Sequence, residues 1–137
     1  MLCCTGYELS EKQSYLNLLL SRNVDAVLLI GSHFIENSPE ENRYILDAAS
    51  KTPVLILNGE LKGDNIYSIL CDDYMALKDM TDLVFSNGAK SPIYLYRTLN
   101  YSGQKKAQGF LNSCAKHGID SSKNTLFAAP EGLHKAC

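Results

Sequence analysis

Residues 24–31 read VDAVLLIG, and apart from Asp25 every side chain is apolar or absent. An unbroken apolar run of this length, rich in branched residues, reads as a strand buried on both faces rather than one exposed to water on one side. Upstream, Tyr15, Leu16, Leu19 and Leu20 recur at helical spacing within residues 10–22. Downstream the same beat returns: strands are predicted over 53–58, 66–71 and 92–96, and helices over 39–50, 73–87 and 103–117. Buried strands separated by helices predict an α/β fold, a three-layer sandwich whose parallel sheet is covered on both faces. Ligands of such sheets sit beyond the carboxyl ends of the strands. That directs the search to Asp72, Asp73 and residues 97–106.

Local signals set the ends of these elements. Ser10-Glu11-Lys12-Gln13 fits a capping box for the first helix. Ser38-Pro39-Glu40-Glu41 fits a cap, a first helical proline and two acids that favour the positive end of a helix. Asn87-Gly88 and Gly118-Ile119 read as left-handed helix ends. Leu77, Met80, Leu83 and Val84 are expected to face inward from the helix over 73–87, and Ala107, Phe110, Leu111 and Cys114 from the helix over 103–117. Too little chain separates Asn58 from Ile66 for a long crossover, which leaves the pairing of those strands open. Residues 125–129 read as the start of another strand.

The 137 residues suit one domain with a real core, and 45% apolar with 20% charged residues is ordinary for a globular chain. Thirteen basic against fifteen acidic residues leave a net charge of -2, which argues against a nucleic-acid contact by this segment. No apolar run is long enough to cross a bilayer, and the residues after Met1 lack a signal-peptide pattern. The five cysteines, Cys3, Cys4, Cys71, Cys114 and Cys137, are odd in number and lack metal spacing. They read as free thiols in a reducing, cytoplasmic setting.

Asp72 and Asp73 follow a strand and precede a helix, so one can cap that helix while the other stays solvated. Equally, a carboxylate there can accept hydrogen bonds from a ligand's hydroxyls. Lys105 and Lys106 open the last helix; Lys106 is the candidate donor to a ligand oxygen, against the ordinary reading of an exposed pair. Tyr74 and Tyr101 could offer ring faces to a sugar. No metal or other cofactor is implied, because the acids lack a further ligand cluster and no glycine-rich phosphate motif occurs. His33, His117 and His134 have no nucleophile motif beside them. A phosphate-accepting receiver-like domain using Asp72 and Asp73 is a rival, weakened by Asn58 and Tyr96 at the later strand ends.

Several segments in order resemble one family. YLNLLLSRNVDAVLLIGS from Tyr15, PVLILNGE from Pro53, ILCDDYMA from Ile69, LVFSNGAKSPIYLY from Leu83 and KKAQGFLNSCAKHGI from Lys105 resemble the effector-binding core of LacI/GalR-type transcriptional regulators. The resemblance spans about residues 3–119. It implies a periplasmic-binding-protein-like fold, no catalysed reaction, a small effector such as a sugar, a homodimer, and DNA contact only through a domain absent from this chain. It carries the family's effector-contacting aspartate onto Asp72, and its arginine onto Lys106, where a point charge replaces a planar fork. A partial effector-binding domain is expected, with an N-terminal subdomain core over about 1–96. Residues 97–137 are then a ligand-facing loop, a helix and the start of a crossover to an absent second subdomain. The resemblance also implies a strand near Leu2 to Thr5, separated by a gap from the strand over 24–31. A sugar-binding protein of a transport system with the same fold is the alternative.

Overall fold

The computed structural model describes residues 1–120 and 125–129. They fall into two compact units, Met1–Cys71 and Asp72–Cys137.

The first unit contains α1 (Leu9–Ser21), β1 (Val27–Ile30), a 3-10 turn (Ser32–Phe34), α2 (Arg43–Ala49), β2 (Val54–Leu57) and β3 (Ile66–Ile69). All three strands are parallel in the order β1-β2-β3, with Val27 opposite Val54 and Val54 opposite Ile66. The open question of β2 and β3 is thus settled as parallel, across the short connection 58–65. Asn58 and Asn65, at its two ends, both adopt positive φ, a conformation asparagine tolerates better than most residues. The Asn65 side chain donates to the Ala49 carbonyl at 2.9 Å and ties the connection to α2.

Side chains alternate across this sheet. Val27, Leu29, Val54 and Ile56 are buried in a core shared with Leu16, Ile45, Ala48 and Ala49. Each buried Val, Leu or Ile contributes roughly 1.5–3 kcal/mol. Leu28, Ile30, Tyr67 and Ile69 on the opposite face are exposed. Within the first unit the core therefore lies on one face of the sheet. Cys71, expected at a buried strand end, is exposed.

Helix starts also differ from expectation. The N-cap of α1 is Glu8, without a side-chain cap, so Ser10 lies inside the helix. Helix α2 begins at Arg43, after Asn42 rather than Ser38. Asn42 is used elsewhere: it bonds the Glu36 amide and the Glu36 and Ser38 carbonyls, folding the loop before α2. Lys12 on α1 is only 3% exposed, its ammonium held by Glu36 at 2.6 Å and by the His33 carbonyl. Burial, then the Lys12 charge, lowers the His33 pKa, with Glu36 opposing.

Leu2 to Thr5 form no strand. Among the described residues β1 pairs only with β2. A cavity of about 580 Å³ lies beside β1, lined by Met1 to Tyr7, by Leu16 and Leu19 of α1, and by β1 itself.

The second unit contains α3 (Asp73–Ser86), β4 (Tyr94–Tyr96), α4 (Tyr101–Lys116) and β5 (Leu126–Ala128). Strand β4 pairs in parallel with β5 in a separate sheet, so the strand predicted at 92–96 does not join β1-β2-β3. The strand expected at 125–129 is present. Both predicted helix ends carry a left-handed glycine: Gly88 and Gly118 have positive φ, and Ala89 and Ile119 donate back to Val84 and Cys114. Helix α4 buries Ala107, Phe110 and Cys114 as expected. Helix α3 does not follow its prediction. Met80 and Leu83 are 59% and 61% exposed and Val84 is exposed, while Asp73 and Thr81 are buried.

Candidate functional site

The starts of α3 and α4 carry most of the residues singled out from the sequence. Each helix opens on its own side-chain cap: Asp72 accepts from the Met75 amide, and Asn100 accepts from the Gly103 amide, both at 3.0 Å. These bonds satisfy backbone donors that a helix start leaves unpaired. Gly103 is required where it stands, since a methyl group there would overlap the Thr98 carbonyl oxygen. Gly109 lets the two helices approach, because a side chain there would meet the Tyr74 carbonyl oxygen.

Of the two acids, the buried one is Asp73, 7% exposed, while Asp72 is exposed. Ser102 donates its hydroxyl to Asp73 Oδ2, and the Lys106 ammonium stands 3.4 Å from Asp73 Oδ1. Ser102 and Lys106 are one helical turn apart, so α4 presents both to the same carboxylate. The result is a carboxylate with a hydroxyl on one oxygen and a partly exposed cation on the other. Such a group can accept from a ligand hydroxyl and donate to a ligand oxygen within one small region.

Tyr101 lies beside this group at the start of α4. Its hydroxyl accepts from Lys105 Nζ at 2.7 Å, and the same ammonium lies 4.5 Å from its ring centroid. Tyr74 is directed elsewhere: its hydroxyl accepts from Asn112 at 2.9 Å. Asn112 is about 15 Å along α4 from Ser102. The structure thus brings Asp73 and Lys106 together, sets Asp72 and Tyr101 on the same helix starts, and turns Tyr74 away.

Sequence reading missed Ser102 and Asn100. Asn100 was findable as a cap one residue before the helix, and Ser102 as the residue one turn before Lys106. A second polar group joins the far ends of the helices. Asp82 accepts from Lys116 at 2.8 Å and from Ser113, with His117 Nε2 at 3.1 Å. The Lys116 and Ser113 bonds hold its carboxyl well below the ordinary carboxylate range. Among the described residues no cluster of His, Cys, Asp and Glu could hold a metal ion. No helix among them is long and apolar enough to cross a membrane.

No protein-family model matches the chain. It is 42% identical over 132 residues to an HTH-type transcriptional regulator of Lachnoclostridium phytofermentans, covering 96% of this chain and 40% of that protein. The chain therefore spans about two fifths of the length of the curated relatives it matches. Its fold is similar to that of the transcription regulator CcpA of Lactococcus lactis, with a TM-score of 0.75 at 18% identity over 98% of this chain and 48% of that one. It is also similar to a LacI family transcriptional regulator from Lactobacillus casei with bound sucrose, with a TM-score of 0.73 at 22% identity over 93% and 46% of the two chains. Along almost all its length the chain is similar in sequence to a transcriptional regulator, and it shares its fold with structures of LacI family transcriptional regulators.

Proposed function

We propose that this chain is an effector-binding region of a bacterial transcriptional regulator, and that its effector is a small hydroxylated molecule of the sugar class. The observation that carries this reading is the group formed by Asp73, Ser102 and Lys106. Its carboxylate accepts from ligand hydroxyls and its ammonium donates to ligand oxygens, the complementary pair that a neutral polyol needs. Asp72 and the Tyr101 ring extend the contact along the two helix starts, while Tyr74, bonded to Asn112, takes no part in it. The sucrose bound by the Lactobacillus casei regulator supports the ligand class.

In the complete protein the effector favours one of two arrangements, and that preference changes DNA affinity elsewhere. DNA contact belongs to a further domain, the working state is a homodimer in the cytoplasm, and no reaction is catalysed. Calorimetry with a panel of neutral sugars tests the reading. One or more sugars should bind weakly, near the millimolar range. Lys106→Met should weaken that binding about tenfold or more, since a charged hydrogen bond is worth about 1.5–3 kcal/mol. Sugar binding unchanged in a folded Lys106→Met protein contradicts the proposal.

A further inference from the structure

The 3-10 turn after β1 seats a histidine between two rings. His33 meets the Tyr7 ring edge-on at 5.3 Å between centroids and the Phe34 ring at 4.3 Å. Its imidazole also lies against Gly31, where any side chain would overlap Nδ1. The His33 carbonyl accepts from the Lys12 ammonium, and the Glu36 carboxylate holds the same ammonium at 2.6 Å. Tyr44 of α2 reaches this turn too, donating to the Phe34 carbonyl at 2.7 Å. Tyrosine hydroxyls ionise only near about pH 10, which leaves Lys12 and Glu36 as the charges beside the ring. Neither ring nitrogen of His33 has a hydrogen-bond partner among the described residues.

We infer that His33 is an acid-sensitive latch: neutral, it holds residues 1–7 and the turn Ser32–Phe34 together, and protonated, it swings to water and releases Tyr7. A protonated imidazole carries a charge and an N–H on both nitrogens. Its seat supplies no acceptor for either, and the Lys12 ammonium cannot retreat, being 3% exposed and tied to His33's own carbonyl. Burial, then the Lys12 charge, disfavours the protonated form in place, with Glu36 opposing. The folded ring therefore titrates below the ordinary histidine value of about 6.5. The closed seat is fully held above that pH and is lost as pH falls through the folded value. Tyr7, His33 and Phe34 all line the cavity beside β1, so release changes the shape of that cavity. The latch uses no residue of the effector reading and stands apart from it.

Nuclear magnetic resonance on the full chain, titrated from about pH 8 to about pH 4, tests it across the histidine range. At the upper end the His33 and Tyr7 rings should show a direct proton–proton contact. That contact should vanish with the same midpoint as the His33 ring titration, below about 6.5. Amides of residues 5–8 and 31–36 should shift with that midpoint, while those of 101–116 stay in place. His33→Gln should abolish the step at Tyr7 without altering the fold at neutral pH. Should that variant fail to fold, the ring contact in the unaltered chain decides alone. A contact that survives protonation of His33, or is missing at the upper end, overturns the latch. So does a ring still neutral at the lower end, a step that persists in folded His33→Gln, or a loss of all amides together at the His33 midpoint.

Discussion

Gly109 lies where α4 passes close to α3, and a single methyl group there would strike the Tyr74 carbonyl oxygen. Backbone cannot yield as a side chain does, so the helices must separate. Gly109→Ala is expected to lower stability by about 1–3 kcal/mol in chemical denaturation, the range for an overfilled core. Asp82 gives a pH-dependent counterpart. Its folded carboxyl titrates below its unfolded value because Lys116 and then Ser113 stabilise the charged form. The unfolded chain thus binds the proton first as pH falls below about 4, and stability declines from there toward the folded value. In thermal melts, Asp82→Asn should flatten this acid limb and reduce stability at neutral pH. At this scale the sequence could point to the aspartate pair but could not rank its members. Which of two adjacent acids caps a helix and which is buried depends on Ser102 and Lys106, some thirty positions away along the chain.

Helices and strands were legible where their signals are local. Apolar period and left-handed glycines located each strand and α-helix of the described residues to within a few positions, while the predicted caps Ser10 and Ser38 were misplaced. Orientation was not legible for α3. Period identifies an apolar stripe, yet the partner helix bonds α3 through Asp73 and Asp82, and Met80 and Leu83 are exposed. Leu83→Lys is accordingly expected to change stability by no more than about 0.5 kcal/mol, as an exposed substitution does. On α4, where pattern and packing agree, Phe110→Ala should cost about 3–5 kcal/mol. Urea unfolding of the two variants separates the helices' roles. Large effects from Leu83→Lys would mean that the α3 stripe is packed.

For the molecule as a whole, charge and topology carry different messages. A net charge of -2 gives no concentrated basic face, so the chain by itself should not retard duplex DNA at physiological salt in a mobility assay. The division into two sheets could not be read, because strand pairing is a choice between distant partners and β4 has the same local character whichever sheet it joins. The account rests on the helix starts of the second unit receiving a hydroxylated guest, and amide chemical shifts followed through a sugar titration probe this most directly. Saturable shifts should concentrate at residues 72–74 and 98–106 and disappear in Lys106→Met. Shifts that are absent for every sugar, or that gather elsewhere on the chain, contradict it.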